Sequence, residues 1–397
     1  MVVMPGSVIV AGARTPIGKM AGAYSGFSAS DLGGFAIAAA LQRAGVAPED
    51  VEHVIMGQVL LAGTGQLPAR QAAVKAGIPM SVPSTIVNKV CLSGLNAIYQ
   101  ADQMIASGEA DIVVAGGQES MTNAPYLLPQ ARAGYRLGDA TLVDSMMFDG
   151  LTCAFDHCAM GLATERYGKG QGGLGRAEQD AFAAQSHERA TQAQKDGRFA
   201  EEIVPVAVPQ RKGDPLMVDT DEGVRPGTTA ESLGGLKAAF EKDGAVTAGN
   251  ASQISDGGSA VVLMSKKEAE RRGVTPLGEF VGYGMVAGPD TSLLTQPSRA
   301  IRRALDRAGK SVSDVTLFEM NEAFSAVALA SMLDLGIGDD IVNVNGGAVA
   351  LGHPIGASGN RLALTLLHEL RRLGGGLGAA ALCGGGGQGD ALLVRSI

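Results

Sequence analysis

Ser84-Thr85-Ile86-Val87-Asn88-Lys89-Val90-Cys91-Leu92-Ser93-Gly94-Leu95-Asn96-Ala97-Ile98-Tyr99-Gln100-Ala101 changes character at one cysteine. The β-branched run before it reads as a strand, and the stretch after it reads as a helix. Cys91 therefore falls at a strand-to-helix turn. A helix N-terminus offers free N–H groups and a partial positive charge, which favour a thiolate over a thiol. Ser93 and Gly94 are small, so another group can come close to the sulfur. A cysteine so placed is a candidate covalent nucleophile. Free cysteines are also common core residues, and on this segment alone the two readings stand level.

Outward from the turn, strands and helices alternate. Val8-Ile9-Val10 reads as a short buried strand, followed by the loop Ala13 to Gly18. Ser30-Asp31 can cap a helix that runs to Ala44 and stops at Gly45. Val51 to Met56 is the next strand, and Gln66 to Ala76 a helix. Asp111 to Ala115 is a strand closed by Gly116-Gly117. This order implies an α/β fold with a largely parallel sheet. From Thr122 to Asn250 the alternation lapses. That stretch holds Cys153, Cys158, a strand-like piece from Ile203 to Pro209, the loop Asp219 to Thr229 and one amphipathic helix over Ala177 to Lys195. It reads as an inserted subdomain.

The chain also repeats itself. Shifted by 264 positions, Ala36, Ile37, Ala40, Leu41, Arg43, Ala44, Gly45, Asp50 and Val51 fall on Ala300, Ile301, Ala304, Leu305, Arg307, Ala308, Gly309, Asp314 and Val315. With one added residue Ser93-Gly94 falls on Ser358-Gly359, and with three more Val114 to Gly117 fall on Leu382 to Gly385. An ordered series of this kind indicates a duplicated α/β domain. Related halves should pack about a pseudo-twofold axis, which would bring Cys91 and Cys383 toward one cleft.

Composition narrows the class. With 397 residues, of which 46% are hydrophobic, the chain can bury a core larger than one ordinary domain. A formal charge of -8 and an aromatic fraction of 4% argue against nucleic-acid binding, which uses basic surfaces and stacking platforms. Four cysteines in this length make no disulfide scaffold. No basic run followed by an apolar core opens the chain, and no apolar stretch reaches a membrane span. The expectation is a soluble, cytoplasmic enzyme with no membrane partner.

Three stretches of the second half carry reactive groups among small residues: Asn321-Glu322-Ala323-Phe324, Gly352-His353-Pro354-Ile355-Gly356-Ala357-Ser358-Gly359, and Cys383 followed by Gly384 to Gly387, Gln388 and Gly389. His353 can serve as the base for Cys91, and Cys383 as a second thiolate. Cys153 and Cys158, with Asp156 and His157 between them, lack zinc-knuckle spacing and a second ligand pair, so no metal is expected. No phosphate loop or dinucleotide fingerprint is present in the required strand–helix context.

Taken together these stretches resemble the thiolase family over essentially the whole length. The resemblance rests on Ala13-Arg14-Thr15-Pro16, Asn88 to Cys91, Gly117-Gln118-Glu119-Ser120-Met121, Thr247 to Ser252, Asn321 to Phe324, Gly352-His353-Pro354 and the final Cys-Gly run. It implies a duplicated thiolase fold: two similar α/β halves in αβαβα layers with an inserted loop subdomain. The implied bounds are 1–122 plus 251–275 for the first half, 123–250 for a CoA-binding loop domain and 276–397 for the second half.

The implied chemistry is the reversible Claisen condensation of two acetyl-CoA to acetoacetyl-CoA and CoA. Cys91 would carry the acyl group, His353 accept its proton, and Cys383 exchange the α-proton. Asn321 would hold a water that, with His353, stabilises an enolate. The N–H groups of Cys91 and Gly385 would form a second oxyanion hole. Leu151, Met160, Arg225, Phe240, Ala248, Ser252, Ala323 and Phe324 would bind substrate or CoA, with Arg225 on a phosphate. Acyl-CoA and CoA are then substrates rather than cofactors, and a homodimer or homotetramer is implied. A degradative 3-ketoacyl-CoA thiolase of longer-chain preference is the alternative. Leu92 and Ala159 stand where relatives often have Gly and His, and 290–296 lacks the usual glycines, which bears on acyl-chain preference.

Overall fold

The computed structural model describes residues 6–396; the outermost ends of the implied bounds, residues 1–5 and 397, lie outside them. The main elements of the first half are β1 (Ser7–Arg14), α1 (Ala29–Ala44), β2 (His53–Gly57), α2 (Pro68–Lys75), β3 (Ser84–Val87), α3 (Ser93–Ala106) and β4 (Ile112–Ser120). Then follow α4 (Met160–Gly168), α5 (Arg176–Lys195) and β5 (Ser255–Ser265). The second half contains β6 (Gly278–Ala287), α6 (Gln296–Ala308), β7 (Leu317–Met320), α7 (Ser325–Leu335), α8 (Ser358–Arg372), β8 (Gly376–Gly384) and β9 (Gln388–Ser396).

The start of α1 differs from expectation. Ser28, not Ser30, is the cap: its Oγ accepts from Asp31 N at 3.2 Å while the Asp31 carboxylate accepts from Ser28 N at 2.8 Å. This reciprocal pair satisfies two free donors at once, which Ser30 has no equally placed partner to do. Gly45 ends the helix at φ 61, a left-handed conformation that glycine adopts without a Cβ clash.

The strands follow the order β7-β8-β9-β6-β1-β5-β4-β2-β3. Pairs β2·β3, β2·β4 and β7·β8 are parallel; β4·β5, β5·β1, β1·β6, β6·β9 and β9·β8 are antiparallel. The sheet is therefore mixed, not largely parallel. Its strands are buried on both faces, so they read as unbroken apolar runs whatever their direction.

The duplication is visible in this order. β2-β4-β5-β1 in the first half matches β7-β8-β9-β6 in the second, pair type for pair type, with β3 as an extra edge. Ala36–Val51 and Ala300–Val315 lie in like elements: α1 and α6, each ended by a left-handed glycine, then a single 3-10 turn at Pro48–Asp50 and Val312–Asp314.

Five layers result. A central core joins the two halves of the sheet through α3 and α8, with Leu95, Ile98, Leu362, Leu366, Val113 and Leu382 all buried in it. A second core packs α1 and α2 on the outer face of the first half of the sheet, and a third packs α6 and α7 on the outer face of the second half. The two equivalent helices α3 and α8 cross at their N-termini. A Cβ on Gly94 would lie 2.8 Å from the Gly356 carbonyl oxygen, and one on Gly359 would lie 2.4 Å from Leu95 N. Neither backbone has room for a side chain there. The stretch between β4 and β5 is tied to β1 by a buried Arg14, whose guanidinium bonds Glu202 at 2.7 Å and Asp221 at 2.6 Å.

β4 shares this close packing, because a Cβ on Gly117 would fall 2.1 Å from the Gly356 carbonyl oxygen. Gly117→Ala should cost about 1–3 kcal/mol by overpacking. Denaturant unfolding checks this; parent-like stability would show that the Gly356 segment yields.

Candidate functional site

The turn after β3 is strained and pinned. Val90 has φ 52, an unfavourable region for a β-branched residue. Ser93 holds it there: its Oγ accepts from Lys89 N at 2.8 Å and donates to the Val90 carbonyl at 2.6 Å. Cys91 then sits just ahead of Leu92, which caps α3. The expected helix-end thiolate is not what this environment favours. Burial pushes the Cys91 thiol up to about 12, while the N–H groups of Cys91 and Gly385 that face the sulfur pull the other way. Loss of water around the sulfur outweighs the two donors.

His353 lies in the segment between α7 and α8, just after a short helical turn at Ala348–Leu351. Its backbone N donates to the Gln253 carbonyl at 3.1 Å, which ties the loop to the segment entering β5. Its ring Nδ1 is 2.6 Å from Ser358 Oγ, and that hydroxyl donates to the Pro354 carbonyl at 2.9 Å. A hydroxyl has one proton, so Nδ1 must donate to it. Nε2 is left with its lone pair, 3.3 Å from Asn321 Nδ2. Burial, with the Arg361 charge, lowers the ring to about 3. The imidazole is thus neutral and ready to accept a proton at Nε2.

Asn321 follows β7, where its backbone N bonds the Ala381 carbonyl at 2.9 Å. Its Oδ1 is buried and has no protein partner. Cys383 ends β8 opposite Gly389 and is fully buried. Burial first, then the nearby Cys91, raises its thiol. Gly385 lies in the turn from β8 to β9 and lies close to Val90. Cys91, Cys383 and Gly385 therefore converge, although they lie almost 300 positions apart.

Two buried carboxylates hold the loops. Glu119 accepts from the backbone N of Val59 at 3.0 Å, Leu60 at 3.1 Å and Gly356 at 2.9 Å. Burial raises it to about 7, against the pull of those three donors. Glu322 accepts from Ser186 Oγ at 2.7 Å, Asn343 Nδ2 at 2.8 Å and Val349 N at 3.0 Å. Sequence reasoning assigned neither a role. The available signal was a carboxylate within an otherwise apolar or catalytic stretch.

A cavity of about 270 Å³ opens beside His353. Leu151, Met160, Phe240, Ser252 and Phe324 line it, together with Met121, Met147 and Ile355, which had not been singled out. Phe240 and Phe324 meet edge to face, 6.4 Å between centroids. Ala323 is buried with Cys383 in an adjoining apolar cluster. Arg225 and Ala248 are exposed and lie outside this lining. Cys153 and Cys158 are free cysteines on the two arms of a small hairpin, with Cys153 N bonded to the Cys158 carbonyl at 2.8 Å. A larger cavity of about 630 Å³, between 196–202 and α8, is lined by charged side chains and holds none of the reactive groups.

A thiol facing two backbone N–H groups, a second thiol beside it and a neutral imidazole on the wall of the adjoining cavity are groups that acyl transfer could use. The models of the thiolase N-terminal and C-terminal domains match residues 7–267 and 274–396. The chain belongs to the thiolase family. It is 58% identical to the probable acetyl-CoA acetyltransferase of Mycolicibacterium smegmatis, over 98% of this chain and 100% of that protein. The acetyl-CoA acetyltransferase of Chromobacterium violaceum is 53% identical, with 98% of each chain covered. The crystal structure of the Bacillus anthracis acetyl-CoA acetyltransferase superposes with a TM-score of 0.96 at 39% identity, covering 99% of both chains.

His353 yields a prediction on pH. A depressed imidazole pKa keeps the proton-accepting form in place until the pH falls toward about 3. Plotted against pH, kcat/KM should show no acid limb from this group across about pH 5–8. A limb centred near the ordinary 6.5 would show that the ring titrates normally.

Proposed function

We propose that this chain interconverts two acetyl-CoA with acetoacetyl-CoA and CoA through an acetyl group carried on Cys91. What supports this reading is that Cys91 lies beside Cys383 and the Gly385 N–H, and packs against Met121, Leu151 and Ile355 of the apolar cavity that His353 also lines.

Burial keeps both thiols protonated at rest, so protons must move as bonds form. Cys91 Sγ attacks the thioester carbonyl while its proton passes to His353 Nε2. The CoA sulfur departs with the Cys383 proton, leaving a Cys383 thiolate beside an imidazolium. That thiolate takes the α-proton of a second acetyl-CoA. The enolate oxygen is held by His353 and by a water on Asn321, whose side chain retains polar capacity toward the site. The carbanion attacks the acetyl-Cys91 carbonyl, whose oxyanion lies against the N–H groups of Cys91 and Gly385. Collapse expels Cys91, which regains its proton from His353. Thiolysis is the reverse.

Leu151, Met160, Phe240, Ser252, Ala323 and Phe324 would flank the acyl and pantetheine arm, with Arg225 and Ala248 further out along the CoA. CoA thioesters are substrates in this scheme, and no cofactor is needed. The enzyme would act in the cytoplasm as a homodimer or homotetramer, a state that sedimentation can measure.

Cys91→Ala should abolish turnover and leave no acetyl group on the protein by mass spectrometry; a stable acetyl group on another residue would contradict the scheme. Cys383→Ser should still acetylate Cys91 but lose solvent deuterium exchange into acetyl-CoA by about 10²–10⁴-fold, since a hydroxyl is a poorer base than a thiolate. Parent-rate exchange would move the base role to His353. With a series of 3-ketoacyl-CoAs, kcat/KM should peak at acetoacetyl-CoA. A peak at longer chains would assign the degradative activity instead.

A further inference from the structure

The donors that face the Cys91 sulfur come from different halves of the chain. One is the N–H of Cys91, on the turn before α3; the other is that of Gly385, on the β8–β9 turn. Their alignment therefore depends on what joins those two turns.

Packing supplies a close fit but no directional bond. A Cβ on Gly384 would lie 2.7 Å from Leu92, and one on Gly385 would lie 3.3 Å from Val90. The directional link is an ion pair. Lys89, two residues before the nucleophile, extends its ammonium to both carboxylate oxygens of Asp390, each at 2.8 Å. Its own backbone N is held by Ser93 at the head of α3. Asp390 lies on β9 directly opposite Leu382, the neighbour of Cys383. Its carboxylate is fully buried and also accepts from Tyr283 Oη at 2.8 Å. Tyr283 in turn stacks on Tyr99 of α3, 4.5 Å between centroids. Among the described residues Lys89 is the one cation paired with Asp390. A buried carboxylate left without its cation is strongly unfavourable, so the two groups are bound to stay together.

We propose that the Lys89–Asp390 ion pair, braced by Tyr283, is a positioning device that aligns the Cys91 and Gly385 N–H groups for the acyl oxyanion. The pair spans the pseudo-twofold and acts through these donors without touching the reacting atoms. This inference rests on the acetyl-Cys91 reading above.

The test separates alignment from folding and from thiol reactivity. Lys89→Met alone strands a buried charge and is expected to unfold more easily. The double variant Lys89→Met/Asp390→Asn removes both charges and keeps a polar partner for Tyr283, so its thermal unfolding should return toward the parent. It should nevertheless acetylate Cys91 from acetyl-CoA about 10²-fold more slowly in a single turnover, the scale of losing one oxyanion donor. Alkylation of Cys91 by iodoacetamide, which forms no oxyanion and feels the two donors only through their pull on the thiol, should slow far less than acetylation. Lys89→Arg, which preserves the pair, should restore acetylation. Parent-rate acetylation in a folded double variant overturns the proposal. So does a parallel fall in acetylation and alkylation, which would place the effect on the thiol itself. The parent run in the same assay must show acetyl on Cys91; its absence would overturn the underlying reading as well, whereas a labelled parent with fast variants overturns only the clamp.

Discussion

The close crossing of α3 and α8 through Gly94 and Gly359 is the constraint on which the rest of this molecule depends. Both helices start at the crossing, so the loops that feed them start there too. One loop carries Cys91 and the other His353. The two halves of the sheet then lie on either side of this helix pair, and the ends of β7 and β8 bring in Asn321 and Cys383. A single methyl group at either glycine would push the two feeding loops apart and shift Cys91 relative to His353.

Burial sets the electrostatics of this centre. Cys383 and His353 are buried and Cys91 is partly so, and the loss of hydration favours the neutral form of all three. Charge is thus absent at rest and has to be created during the reaction, where fixed donors receive it. The ionisable carboxylates at the site's rim serve as anchors. Glu119 gathers N–H groups from two separate loops, and Glu322 gathers a helix start, a loop amide and a hydroxyl. Each converts an expensive buried group into a fixed joint by saturating it with donors.

Much of this was legible in the chain. The 264-residue shift located α1 against α6, and the periodicity break at Cys91 located the strand-to-helix turn. What could not be read were properties that depend on distant neighbours. Strand direction was one, since Val113 and Leu263 are equally apolar whichever way they run. The protonation of Cys91 was another: a local helix end argued for a thiolate, while the side chains that displace water come from Val59, Met121 and Ile355. The cavity wall combines Met121, Met147 and Ile355, none of which is near another in sequence except through the fold. The Ser28 cap is a different case. Its Ser-x-x-Asp spacing was present in the chain and distinguishes it from Ser30.

The layered core also bears on how such a chain could arise. Leu95 and Ile98 of α3, and Leu362 and Leu366 of α8, share one buried cluster with strands of both halves. Each half on its own would leave that face uncovered, so a repeated unit of this kind needs its copy to be complete. The likeness of the two helix starts does not extend to the turns that feed them: Cys91 precedes α3, while the matching position before α8 is Gly356. A symmetrical pair of helices thus carries an asymmetric pair of turns.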